Sequence, residues 1–285
     1  MRYLEFLSRL HDVLDPGTYL EVGVRNGNSL SLARCPSVGI DPEFTLTAEL
    51  AAPVWLYRTT SDEYFERPDA LAPLEGRPVD LAFIDGMHLF EFALRDFINV
   101  ERHSAPWTVV VFDDMFPRRV DEAARVRHSK AWTGDIYKVI EVFRARRPDL
   151  ELTFVNTTPT GLLLIHGLDA SNTVLSDQYD EIVATTVRDD PQVVPESILK
   201  REGALTPPVA LGLDVWGELR AARPGGGTDA ARRAALAPRN PLKGPLDMVG
   251  AQPAAATPTQ PPSFALRARR SLVRRTKKAL SGTRR

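Results

Sequence analysis

Two short stretches place acids where strands end. Residues 83–88 read FIDGMH and residues 109–116 read VVVFDDMF, so Asp85 and the pair Asp113–Asp114 each close a run of apolar residues. Carboxylates gathered at neighbouring strand ends repel one another unless a positive group lies between them. A hard divalent cation with oxygen ligands meets that need. One such Asp alone reads more simply as a cap on the next helix; three of them at two strand ends favour a site. His88 follows Asp85 by three positions. An imidazole there can take a proton near neutral pH, ligate a metal, or serve as ordinary structure. His11, His103, His128 and His166 stand outside this constellation.

A second set of residues lies upstream. In YLEVGVRNGNSL, residues 19–30, Gly23 and Gly27 follow a strand-like run that contains Glu21 and precede a helical pattern. Glycines at such a turn let the backbone approach a ligand closely. Their G-x-x-x-G spacing differs from the G-x-G-x-x-G of nicotinamide-binding chains. Asp41 closes VGID at the second strand, where an acid accepts the two hydroxyls of a ribose. Ser61 and Asp62 follow the third strand, placed to meet an adenine edge. These three strand ends together describe a nucleoside site. Residues 117–138 then form a charged excursion without strand pattern, expected to overhang the crevice. Trp132, Asp135 and Lys138 are its candidates for meeting an acceptor, although Trp132 equally suits packing under a helix. Arg118, Arg119, Arg125 and Arg127 either attract an anionic acceptor or form a solvated face.

The elements that position these residues alternate. Apolar runs at 18–22, 37–41, 54–58, 79–84 and 107–112 are separated by helical patterns or loops. Strands apolar on both faces with helices between them predict a parallel sheet covered on both sides. Residues 150–156 and 161–166 are joined only by TTPT, too short for a crossover helix, and predict an antiparallel hairpin. In such a doubly wound α/β sheet, ligands sit beyond the carboxyl ends of the strands. Segment 170–220 is helical in part and suits shielding of the hairpin or a homo-oligomer contact.

Composition bounds the rest. The 285 residues are 43% hydrophobic and 26% charged, enough for one globular body and an appendage. No apolar stretch approaches the roughly 20 residues that cross a bilayer. Leu4, Leu7, Leu10 and Leu14 fall at helical spacing, so the N-terminus reads as an amphipathic helix and not a signal peptide. The single Cys35 excludes an internal disulfide and suits a reducing cytoplasm. Residues 1–221 are expected to be the folded body. Residues 222–263, rich in Pro, Ala and Gly, read as a disordered linker, and 264–285 as a basic tail. In that tail Phe264, Ala268, Leu272 and Leu280 lie four or eight apart among cations. The pattern suits peripheral contact with an anionic inner membrane surface, or a solvated end. With one aromatic, the tail has little capacity to stack on nucleic acid.

These residues resemble the class I S-adenosylmethionine-dependent methyltransferases: E-x-G-x-x-x-G on strand one, an acid ending strand two, and a reversed final hairpin. FIDGMH and VFDDM are similar to the metal-dependent O-methyltransferases, both the catechol type and the macrocin-type sugar group. The resemblance spans roughly residues 1–166 and implies a mostly parallel seven-stranded sheet ending in an antiparallel hairpin. It implies that Asp85, Asp113 and Asp114 hold magnesium or manganese and that His88 is the general base beside Asp85. Glu21 and Gly23 would contact the methionine part of the cofactor, Asp41 the ribose, Ser61 and Asp62 the adenine. The implied reaction is methyl transfer to a hydroxyl of a sugar, glycan or secondary metabolite. A cephalosporin-hydroxylase-like relative would run other chemistry on the same scaffold. A nicotinamide oxidoreductase is opposed by the glycine spacing and the hairpin.

Overall fold

The computed structural model describes residues 1–224; the basic tail and all but the first residues of the expected linker lie outside the described residues. In chain order the elements are α1 (Tyr3–Leu14), β1 (Tyr19–Val22), β2 (Ser37–Ile40), β3 (Val54–Tyr57) and α2 (Ser61–Phe65). There follow β4 (Val79–Ile84), α3 (Phe90–Glu101), β5 (Ser104–Phe112), α4 (Val139–Arg146), β6 (Glu151–Val155) and β7 (Leu162–His166). Five short helices complete the body: α5 (Val174–Asp177), α6 (Tyr179–Thr186), α7 (Glu196–Leu199), α8 (Pro207–Leu211) and α9 (Val215–Ala222).

The seven strands form one sheet in the order β3-β2-β1-β4-β5-β7-β6. The first five are parallel, and β7 runs antiparallel to both β5 and β6. This is the class I methyltransferase topology implied by the sequence. The order reverses between β1 and β4, so the crevice for a ligand opens beyond their carboxyl ends. Alternation along the strands divides the core in two. Leu20, Val22, Ala82, Ile84, Val110 and Phe112 face the layer that holds α3 and α4. Tyr19, Leu81, Phe83, Val109 and Val111 face α1 and α9. Both faces are therefore buried, which is why the runs read as continuously apolar.

α1 buries Phe6, Leu7, Leu10, His11 and Leu14. Ala222 and Arg223, at the start of the expected linker, are 2% and 8% exposed. α9 thus carries the packed body slightly past residue 221. Among the described residues, no helix is long and apolar enough to cross a membrane.

His11 gives this packing a pH dependence. Burial, with the nearby charge of Arg34, lowers its pKa to about 4, against a weaker opposing pull from Asp12. Its Nδ1 has no hydrogen-bond partner, so the ring is held neutral. Because the unfolded chain binds this proton near pH 6.5 and the folded chain does not, stability is complete above that pH and falls as pH drops towards 4. The loss should be at most about 3 kcal/mol. Urea unfolding of His11→Leu between pH 7 and 4 should show a shallower acid slope than wild type; equal slopes would assign the loss elsewhere.

Candidate functional site

The two acid motifs meet at the switch point. Asp85 N donates to Val22 O at 2.8 Å and Asp113 N to Ile84 O at 3.2 Å, so each acid continues the ladder one residue beyond its strand. Gly23 is what permits this closeness: its φ is +94°, and a Cβ there would lie 2.1 Å from the Asp85 carbonyl oxygen. The adjacent acids then part company. Asp113 is 5% exposed and its Oδ1 accepts the Asp114 N–H at 2.8 Å. Asp114 has φ +58°, a left-handed conformation that Asp adopts more readily than most residues. Its carboxylate swings to His88.

Among the described residues, Asp85, His88 and Asp114 are brought together with their ligand-type atoms all within 4.8 Å of one another. His88 Nε2 lies 3.2 Å from Asp85 Oδ1, and His88 Nδ1 lies 3.1 Å from Asp114 Oδ2 and 2.8 Å from the Trp132 carbonyl oxygen. Asp113 is outside this group. The sequence reading has Asp113 with the ligands and His88 beside them as a base; in the structure His88 stands within the group and Asp113 beside it. Burial acts to depress His88, but the hydrogen bond to Asp85 and the charges of Asp114 and Asp85 prevail and raise it to about 9. Burial raises Asp114 to about 6 against the pull of His88, and burial followed by the charges of Asp114 and Asp85 pushes Asp113 well up. The two carboxylates thus favour the charged form of the imidazole, and a charged imidazole has no lone pair with which to act as a base.

The excursion after β5 braces this centre. The Trp132 ring stacks on His88, with centroids 5.1 Å apart and planes at 17°. Gly134 has φ +59°, and a Cβ on it would fall 1.5 Å from the His88 carbonyl oxygen. Asp135 is fully buried; its Oδ1 accepts the Phe90 N–H at 2.9 Å and so caps α3 from a distant loop. Its Oδ2 takes Arg125 at 2.8 Å and Lys138 at 2.9 Å, and Arg125 also reaches Glu91. Asp135 and Lys138, expected to face an acceptor, are therefore engaged in holding α3 and the loop. Arg118 and Arg119 pair with Glu122 and Asp121, and Arg127 lies over the Trp132 ring.

The residues expected to meet a nucleoside lie within β1 or after β1, β2 and β3. Glu21 is fully buried, accepts from Tyr19 and Ser29, and is raised by burial to about 8. Gly27 packs under Leu46. Asp41 accepts the backbone N–H of Arg25 and of Glu43, each at 2.7 Å, which ties the loop after β1 to the end of β2. Each carboxylate oxygen keeps a further lone pair for a ligand. Ser61 donates to Asp96 at 2.5 Å, and Asp62 accepts from Arg95 at 2.7 Å.

Two residues of this edge escaped the sequence reading. Tyr3 N donates to Thr158 O at 3.1 Å, which pins the start of α1 beside the β6–β7 turn; the Tyr3 ring stacks on Phe83, two residues before Asp85. Asp96 did leave a signal, an acid on the apolar face of a helix between buried Ala93 and Val100.

Residues 20–115 match the model of a family described as a methyltransferase domain. No curated protein matches the chain. Among solved structures it is similar to the O-methyltransferase TomG from Streptomyces achromogenes, involved in tomaymycin synthesis and solved with S-adenosylmethionine. Identity there is 18% and the TM-score 0.43, covering 57% of this chain and 78% of that one. It is also similar to an O-methyltransferase from Bacillus cereus in complex with S-adenosylhomocysteine, at 16% identity and TM-score 0.42, covering 57% of this chain and 80% of that one.

Proposed function

We propose, for a chain whose residues 20–115 form a methyltransferase domain on the class I topology, that it transfers a methyl group from S-adenosylmethionine to a hydroxyl, with a divalent cation at Asp85, His88 and Asp114. The observation that carries this reading is the convergence of those three side chains beyond β4 and β5, next to the glycine turn after β1. The donor set fits a cation: two carboxylates and one imidazole, with an imidazole N–H free to donate to the Trp132 carbonyl, as metal-bound histidines commonly do. One nitrogen ligand among oxygens favours manganese or another transition metal over magnesium. A bound cation would supply the charge that holds the acceptor oxygen and lowers its pKa.

The chain's own residues do the remaining work. Asp85 and Asp114 provide the negative charge of the centre, and the Trp132 carbonyl and ring fix the His88 orientation. A cation in contact with His88 would displace its proton in favour of ligation. With that lone pair on the cation and its N–H on the Trp132 carbonyl, His88 would not also take the acceptor's proton, which would pass to solvent from an oxygen made more acidic by the bound charge. Asp41 meets the ribose, Ser61 and Asp62 the adenine, and Glu21 with Gly23 the methionine end. The acceptor is a hydroxyl of a sugar, glycan or secondary metabolite.

Calorimetric titration with S-adenosylhomocysteine and with NAD, each with and without manganese, tests this reading. S-adenosylhomocysteine should bind and NAD should not; the reverse would make the chain an oxidoreductase. Asp41→Ala should weaken S-adenosylhomocysteine by about 10- to 100-fold, the scale of hydrogen bonds to a charged group. Unchanged affinity in a folded Asp41→Ala protein would remove the ribose role.

A further inference from the structure

The turn between β6 and β7 runs alongside the residues that follow Asp114. Met115 N donates to Gly161 O at 3.4 Å and Phe116 N to Thr160 O at 2.7 Å. The Thr160 side chain hydrogen-bonds Asp114 and favours its charged form. Against the same turn stands Arg201, just past α7, with φ +56°, a conformation uncommon for a long side chain. Its Nη1 donates to Asn156 Oδ1 at 2.7 Å and to Thr157 O at 2.9 Å, and its Nη2 donates to Pro159 O. The guanidinium lies 5.9 Å from the centre of the Phe116 ring.

These partners are neutral oxygens, so they leave the charge of Arg201 uncompensated. A guanidinium has five N–H donors. Three are used on the turn, which leaves the Nε–H and one Nη2–H. The Nε is not a buried orphan, so its N–H is open to solvent. Arg118 follows Phe116 by two positions. It spends its Nε and Nη2 on Glu122, at 3.2 and 2.7 Å, and keeps both Nη1 hydrogens. Burial and then the charge of Arg118 disfavour the charged form of Arg201, with buried Glu122 opposing them. Two guanidiniums over one carboxylate are one negative charge short, and their spare N–H groups suit the oxygens of a carboxylate or phosphate. We infer that Arg201 and Arg118 form a subsite for an oxyanion group that the acceptor carries beside the hydroxyl to be methylated. The inference rests on the S-adenosylmethionine reading given above. Sheet order assigns the subsite to the acceptor: the residues expected to meet the cofactor belong to β1, β2 and β3, whereas β7 and its turn lie on the other side of β5.

The test is an NMR titration of metal-free, full-length protein with inorganic phosphate and, separately, with acetate. It is read at the Arg201 Nε–H signal, which Arg201→Lys identifies by its loss, so that anions held elsewhere on the chain do not count. At least one anion should shift this signal to saturation at millimolar concentration; phosphate alone assigns a phosphate, acetate alone a carboxylate. Arg118→Gln should weaken that binding by about 10-fold or more, the scale of hydrogen bonds to a charged group. Glu122→Gln, which removes the competing carboxylate and frees Arg118, should tighten it by at least about threefold. An Arg201 that only holds the turn would give no saturable shift, or one indifferent to both variants, and either result overturns the inference. Should Arg118→Gln not fold, Glu122→Gln decides: unchanged or weaker binding overturns it. S-adenosylhomocysteine should bind alongside the anion. If it expels the anion, the subsite belongs to the cofactor, which overturns the inference and leaves the cofactor reading standing. If it does not bind while the anion does, the cofactor reading fails and the assignment to a methyl acceptor falls with it, while the oxyanion subsite stands.

Discussion

Manganese binding should weaken by more than about 100-fold in Asp85→Asn and in Asp114→Asn, while Asp113→Asn stays within about threefold of wild type. Asparagine keeps the shape of aspartate and removes its charge, so each change tests the charge alone. Loss of a group that merely orients a ligand costs about 10- to 100-fold in metal affinity, and loss of a ligand should exceed that. Asp113 differs because its carboxyl is buried, pushed well up by burial and its acidic neighbours, and turned to the Asp114 N–H. A neutral amide suits that place. Titration calorimetry with manganese reads all three variants without any knowledge of the acceptor, and S-adenosylhomocysteine affinity serves as the folding control. If Asp113→Asn shows the largest loss, the oxygen-only ligand set expected from sequence is restored. If wild type takes up no manganese, His88 itself is the counter-charge of the two carboxylates, and the metal reading fails.

The contrast between Asp113 and Asp114 also marks where sequence reasoning stopped. Period-two alternation assigns a side chain to a face only while the strand lasts. Val111 and Phe112 are assigned in this way, and the ladder runs on through Asp113. The direction of Asp114 depends on a φ of +58°, and no glycine announces it. Local pattern did suffice for the strands, for the reversed hairpin and for the glycine turn, because each is set by residues a few positions apart. It could not place Asp135, whose partners Phe90 and Arg125 lie on separate elements. An acid in a charged loop looks solvated until a helix start some forty residues upstream needs a cap. Asp96 was legible in principle, since an acid on an apolar helix face is unexpected. Its partner Ser61 looks free for a ligand in the sequence, whereas one of its hydrogen-bonding roles is already taken.

Arg147→Ala should cost about 3–5 kcal/mol, because it leaves a buried carboxylate without its cation. Arg147 is 1% exposed and makes a paired contact with Glu101, at 2.6 and 2.9 Å, while also reaching Asp149. Glu101 ends α3, so this pair holds the far end of the helix that Asp135 caps at the site. Burial raises the Glu101 pKa even in the intact protein, with Arg147 pulling the other way. Without Arg147 that rise must grow. A folded-state carboxylate pKa above the unfolded value penalises folding as pH rises past the unfolded pKa, near 4.3. The deficit of Arg147→Ala should therefore be smallest near pH 4.5 and increase towards pH 8. Replacing both partners, as Glu101→Met with Arg147→Met, should recover much of the loss, since a well-packed apolar pair of similar volume carries no desolvation penalty. Thermal melts of the two single variants and the double variant, at pH 5 and pH 8, give the coupling directly. A deficit independent of pH, with no recovery in the double variant, would mean that Arg147 acts through the packing of its stem and through Asp149, with Glu101 already carrying a proton in the native protein.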